Sequence, residues 1–431
     1  MFFEVTEMPY KKKKTYSKKG IIALCSLVYF VSYFSRKDFA AVMAGMIENG
    51  SIGRTNAGLV GTMLFAFYGV GQIVSGYLGD RVKPKRVILL GLSTTTVCNA
   101  LMPFATEWMM VVIWGVNGLA QAMLWPPIVK ILSTYLDHKS YVTANLVVTA
   151  AAHVSTVILY TFVPICLEFM SWETVFFTAS VLAFLSILVF VIALKLILPD
   201  DVCVADCMDI RASFSTNSEV KILSVLKSSG VFTIFLCIIV CGFLRDGIES
   251  WLPTLYSECF GAGASESTLL SVILPIFSII SISIVTVLHR RGLFNNEARG
   301  TVILFSLSLL CAFLLALFVG TEGRASGIIS LLLASLICAS MHGVNFLLIS
   351  CLPGRFAHTG RAATVGGICN SCIYIGAAIS TYGIGLISDR FGWSSTAFSW
   401  CLMLVLAIVF AAISISKYTA SIEKTSKMEK K

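Results

Sequence analysis

Predominantly apolar stretches of 18 or more residues recur along the whole chain, and no other feature limits its fold so strongly. Each is long enough to cross ~30 Å of hydrocarbon at 1.5 Å per residue. In hydrocarbon, every backbone N–H and C=O must find a partner inside its own segment, so such stretches are helices. Twelve are read, at about 20–47, 55–79, 87–105, 109–135, 141–167, 172–197, 228–256, 266–288, 300–320, 325–352, 361–387 and 393–417. A composition of 57% hydrophobic and 13% charged residues excludes a soluble globular protein. The fold class expected is an all-α membrane protein of twelve transmembrane helices.

Charge placement supplies the orientation. Of 32 Lys and Arg, three are assigned to membrane depth (Arg36, Lys37, Arg245) and three to loops of one side (Arg54, Arg324, Arg390), those at the ends of spans being counted with the side they adjoin. The remaining 26 lie on the side holding both termini, which the positive-inside rule makes cytoplasmic. The net charge of +9 is therefore a topology signal, concentrated in Lys11 to Lys14, Lys18, Lys19 and the Lys-rich tail, and no nucleic-acid partner is expected. The first apolar stretch is too long for a signal peptide and has no small-residue cleavage site behind it, so it is kept as a span. Fourteen cysteines fall mostly singly within spans, where they behave as small hydrophobes. Cys369-x-x-Cys372 and the Cys203/Cys207 pair lack His or Cys partners at zinc spacing, and no metal or cofactor is expected.

The longest polar stretch separates six spans from six. The expected organisation is a basic tail at 1–19, a six-helix bundle at 20–198, a linker at 199–227, a second bundle at 228–417 and a basic tail at 418–431. The halves echo one another. Trp172 and Trp393, each opening the last span of its half, are offset by 221 residues, and Arg36 and Arg245 by 209. Such offsets suit a parallel repeat of two pseudo-symmetric bundles, with a binding site near the midplane between them.

Arg36 and Arg245 each lie about sixteen residues into an apolar span. A guanidinium at that depth costs at least ~2.5 kcal/mol on insertion scales, so it normally faces a wet cavity or a partner. One per half suggests a shared cavity for an anion, because the planar fork donates two parallel hydrogen bonds to a phosphate or carboxylate. Local neutralisation is the competing reading. Asp38 and Asp246 are one or two residues from their arginines and should project elsewhere, whereas Glu249 at i+4 could pair with Arg245. Tyr29 and Tyr33 precede Arg36 at −7 and −3 on one helix face, with Tyr68 in the second span able to join them. Trp125-Pro126-Pro127 should break the fourth span beside a cavity. His153 and His342 sit inside the fifth and tenth spans as hydrogen-bonding or titrating groups. Lys37, Gln72 and Tyr374 complete the candidate lining.

Gly76-Tyr-Leu-Gly-Asp80-Arg81 followed by Lys83, Lys85 and Arg86 resembles the loop signature of the major facilitator superfamily, with Asp80 and Arg81 as a latch. Tyr29, Tyr33, Arg36-Lys37-x-Phe39, Tyr68-Gly69, Trp125-Pro-Pro127, His153, Arg245, Trp251-Leu-Pro253 and Phe391-Gly-Trp393 together resemble the organophosphate:inorganic phosphate antiporters, over nearly the whole chain. The resemblance implies that Arg36 and Arg245 hold the phosphate, that His153 is a third polar contact, and that the tyrosines and Trp125 line the pore. The chain departs from that pattern. Gln72 stands where the family has Lys, the eighth span from Ser267 to Leu288 has no ionisable side chain, and Gly242 and His342 stand where tyrosines are expected.

The function expected is secondary active uptake of a phosphorylated metabolite in exchange for inorganic phosphate, by alternating access. Two alternatives stay open: an anion:proton symporter using His153 or Glu249, and a transporter-like sensor of a sugar phosphate. An enzyme is not expected, since no nucleophile–base pair or phosphate-cradling loop occurs, and Gly58, Gly61, Gly69, Gly71, Gly76 and Gly79 suit helix packing. The expected partners are an anionic small molecule, inorganic phosphate and the bilayer of a bacterial inner membrane, with the chain acting as a monomer.

Overall fold

The computed structural model describes residues 17–197, 231–294, 296–321, 323–353, 355 and 362–429. The expected linker at 199–227 and most of the first tail lie outside them. Described residues form helices throughout: α1 Lys18–Glu48, α2 Arg54–Arg81, α3 Pro84–Leu101, α4 Glu107–Ala122, α5 Trp125–Tyr135, α6 His138–Phe169 and α7 Glu173–Ile197 in the first half. The second half holds α8 Val231–Phe260, α9 Ala264–Leu270, α10 Ile273–Arg290, α11 Glu297–Phe318, α12 Arg324–Asn345 and α13 Ala362–Glu429. α13 runs through most of the expected C-terminal tail.

Nine described segments are long and apolar enough to cross a membrane. A count of twelve also requires α2, α8 and both parts of α13, which Gly392 divides with φ of 78°. That left-handed conformation is open to glycine without a Cβ penalty. Polar side chains start helices where the chain re-enters: Ser17, Asp137 and Asn296 accept the N–H groups of Gly20, Ser140 and Arg299. Lys18 also bonds Asp137, tying the start of α1 to the start of α6. The fourth span breaks as its prolines require. Met123 and Leu124 turn tightly onto Ala120 and Gln121, and α5 starts afresh with proline in its first turn, where its missing N–H costs nothing.

Helices pack chiefly within their own half, and the halves meet along α2 with α13, α1 with α8, and α6 with α9 and α10. Glycine sets the spacing of the α2–α13 seam. A Cβ on Gly58 would lie 2.6 Å from the Thr381 carbonyl, and one on Gly385 would lie 2.8 Å from that of Arg54. Apolar side chains such as Val112, Val181, Leu310 and Ile379 stay exposed, as a lipid-facing surface demands. One core takes in the far end of the first half and the full depth of the second, joining Trp114 and Phe176 to Trp251 and Trp393. A second core, around Ile21, Ile88, Leu124 and Ile128, stays inside the first half at the terminal end. The halves are thus sealed at the far end and separate towards the termini.

Candidate functional site

The gap between the halves is a cavity of about 460 Å³ at mid-depth. Every side chain expected to bind substrate lines it: Arg36, Arg245, His153, Tyr29, Tyr33, Lys37, Tyr68, Gln72, Trp125, His342 and Tyr374. Asp246 and Glu249 line it too. Asp80 and Arg81 end α2, and their side chains lie outside the described set.

The two arginines turn out unequal. Arg36 is 8% exposed and makes no hydrogen bond or ion pair with any described residue, and its Nε is unpartnered. Its guanidinium instead lies over the rings of Tyr33 and Tyr68, at 4.2 and 5.1 Å from their centroids. Tyr68 in turn packs on Tyr374, and Tyr29 on Trp125. Aromatic faces hold a cation in place by attraction to their negative quadrupole while leaving its N–H edge free. Asp38, which follows on the same helix, is fully buried with its Oδ1 on the Phe39 N–H, and does not pair with Arg36.

Arg245 is partly neutralised. It donates to Asp246 Oδ2 at 2.7 Å and to Asn345 Oδ1 at 3.0 Å. The expectation that Asp246 would project away from Arg245 fails: the arginine stem is long enough for the guanidinium to reach the adjacent carboxylate. The expected Arg245–Glu249 pair does not form either. Glu249 is engaged across the cavity, accepting from Lys37 Nζ at 2.6 Å and lying 2.7 Å from His342 Nε2. The Tyr160 hydroxyl donates to the Glu249 carbonyl. Lys37 therefore points into the cavity and joins the first half to the second. His153 makes no hydrogen bond among the described residues, and its ring sits 6.1 Å from that of His342.

Two departures noted in the sequence gain a physical reason. A Cβ on Gly242 would meet the Ile373 carbonyl at 2.1 Å, so no tyrosine fits there. The approach brings α13 close enough for Tyr374, the next residue, to wall the cavity in its place. His342 stands where a tyrosine was expected and takes over a hydrogen bond to Glu249. Gln72 reaches only the Ala122 carbonyl, at 3.5 Å.

One cluster of donor atoms was not noted in the sequence. Glu249, Cys338 and His342 offer donor atoms all within 4.8 Å of one another. Cys338 and His342 are one helical turn apart on α12, a spacing that was legible, but Glu249 comes from α8. Only folding brings it there.

The far end carries polar bridges between the halves. Across the halves, Glu258 accepts from Arg54 Nε at 2.8 Å, Thr55 donates to Asp389, and Glu48 accepts from the Ala264 N–H; within the second half, Glu258 also accepts from Trp393 Nε1 at 2.7 Å. Sequence reasoning noted Arg54 as a loop charge and Trp393 in the repeat but paired neither, because nothing local signals which polar groups meet across the halves.

The Major Facilitator Superfamily model matches residues 25–381. The chain belongs to this superfamily. It is a multi-pass membrane transporter and not an enzyme. A probable hexose phosphate transport protein of Chlamydia muridarum is 20% identical over 421 residues, spanning 93% of this transporter and 91% of its own length. A glycerol-3-phosphate transporter of Bacillus subtilis is 23% identical over 402 residues, covering 89% and 88%. These relatives agree with the organophosphate:inorganic phosphate antiporter grouping. The crystal structure of a bacterial homologue of the human lysosomal transporter Spinster, inward-facing and occupied, superposes with a TM-score of 0.69 at 14% identity. It covers 95% of this chain and 97% of the other, and supports the fold alone.

Proposed function

We propose that this transporter carries a phosphorylated small metabolite, of the sugar phosphate or glycerol phosphate class, in exchange for inorganic phosphate. The observation that carries the reading is Arg36: a buried guanidinium facing the cavity with no acidic partner among the described residues. Burying an unpaired cation is costly, and a site that keeps one is built for an anion.

The charge balance refines the substrate. Lys37 and Arg245 are offset by Glu249 and Asp246, which leaves one cation spare. A monoanionic phosphate ester matches that surplus directly. A dianion needs a second cation, and Lys37 is the nearest source if phosphate oxygens draw it from Glu249, which then keeps His342. The anion would thus bind Arg36 in one half and Arg245 in the other while weakening the Lys37–Glu249 bridge. Such a difference in contacts between states is what lets a ligand shift a conformational equilibrium. The empty site, positively charged and bridged by Lys37, resists the transition, so return calls for a second anion. We also infer from the Lys and Arg asymmetry that both termini are cytoplasmic, and propose a bacterial inner membrane and a monomeric chain.

The test is counterflow in proteoliposomes. Labelled hexose 6-phosphate or glycerol 3-phosphate should enter only when phosphate is loaded inside. Uptake into phosphate-free vesicles driven by an imposed pH gradient would replace exchange by proton symport.

A further inference from the structure

We propose that Glu249, Cys338 and His342 form a binding site for a borderline-soft divalent cation, of which zinc is the type, in the wall of the transport cavity. The three donor atoms come from two helices and lie within 4.8 Å of one another. His342 Nε2 is 2.7 Å from Glu249 Oε1, and Cys338 Sγ is 3.6 Å from the same oxygen. Around a tetrahedral zinc, with bonds of about 2.0–2.3 Å, neighbouring donors stand roughly 3.2–3.7 Å apart. The thiol meets that spacing towards Glu249, the imidazole has to retreat from the carboxylate by about half an ångström, and the thiol–imidazole edge, within 4.8 Å, has to close to it on binding.

The donor set is of the right kind. Sulfur, imidazole nitrogen and carboxylate oxygen are ordinary zinc ligands, whereas magnesium or calcium would seek oxygen alone. The surroundings fit as well. Lys37 holds Oε2 of Glu249 at 2.6 Å, which fixes the carboxylate and turns Oε1 towards Cys338 and His342. Supporting contacts of this sort orient metal ligands in known sites. Glu249 and His342 line the cavity while Cys338 lies buried behind them, so an ion enters from the cavity and its fourth position faces back into it. On binding, the Cys338 thiol loses its proton to solvent, and His342 carries its own on Nδ1 in place of Nε2. Thiolate and carboxylate then offset the two charges of the ion. The alternative is a plain hydrogen-bond cluster. It accounts for His342 but gives the thiol little, since S–H is a weak donor.

The occupied site presents a metal ion to the chamber proposed for phosphate, and its open position takes an anion oxygen. Metal should therefore hold the anion and slow exchange. The experiment uses purified full-length protein and cadmium as a spectroscopic stand-in for zinc. One equivalent of cadmium should produce the ultraviolet charge-transfer absorption of a cadmium thiolate. Cys338→Ser should abolish that absorption, and His342→Gln should weaken binding at least tenfold. In proteoliposomes, micromolar zinc should slow phosphate exchange by the wild type and leave Cys338→Ser unaffected. No thiolate band, or one that persists in Cys338→Ser, overturns the proposal. The spectroscopic result stands whether or not the protein exchanges phosphate, so failure of the transport reading is separable from failure of this one.

Discussion

The inequality of Arg36 and Arg245 yields the sharpest prediction. Replace each in turn by lysine, which keeps the charge and removes the planar fork. At Arg36 no guanidinium N–H is taken by a described residue, and two aromatic rings hold the fork in position. Lysine there forfeits at least one charge-assisted hydrogen bond to phosphate, about 1.5–3 kcal/mol. It also loosens the stacking, worth about 0.5–1 kcal/mol. The sum, about 2–4 kcal/mol, corresponds to roughly 30- to 700-fold weaker phosphate binding. Arg245 already spends two donors on Asp246 and Asn345, and its charge is largely offset. Its replacement should weaken phosphate by about tenfold or less, near 1.4 kcal/mol. Titration calorimetry of the purified variants with inorganic phosphate measures both, with thermal melts to confirm folding. Equal losses, or a larger loss at Arg245, would refute the claim that the free guanidinium is the principal phosphate anchor.

Other outcomes follow from the same geometry. Glu249→Gln removes the carboxylate that holds Lys37 across the cavity, so the melting temperature of the apo protein should fall, and saturating phosphate should recover most of the loss by pairing with Lys37. An unchanged melting temperature would mean that the bridge contributes nothing. Gly58→Ala drives a methyl to 2.6 Å from the Thr381 carbonyl and should pry open the far-end seam. In that background, a Thr62→Cys probe should react faster with an impermeant thiol reagent than it does with Gly58 intact. Glu258→Gln cuts the gate contacts to Arg54 and Trp393, which are partly exposed and together worth about 1 kcal/mol. It should raise far-side labelling by a few-fold at low salt and less at high salt; an effect insensitive to salt would argue against an electrostatic gate.

The helices and the family were legible because both rest on local or repeated signals. A long apolar stretch has one way to satisfy its backbone in lipid, whatever surrounds it. The double proline after Trp125 fixed the break in the fourth span for a similarly local reason, the missing N–H. The lining set was readable because charged and aromatic residues at membrane depth are costly enough to mark a cavity. Pairing was not readable. Sequence placed Glu249 four residues from Arg245 and so favoured that partner, but the cavity wall put Lys37 and His342 nearer.

What this amino-acid sequence determined by itself was the set of apolar helices, their order and the residues too polar to face lipid. Tertiary structure alone decided which of those polar groups neutralise one another, because that depends on ångström-scale distances between side chains, some of them on helices from separate halves. It left Arg36 without a partner among the described residues, gave Asp246 to Arg245, and set Glu249 among Lys37, Cys338 and His342. Helix propensity and hydropathy act along the chain over a few residues. The charge that an anion meets is set across the chamber, by side chains up to 212 positions apart.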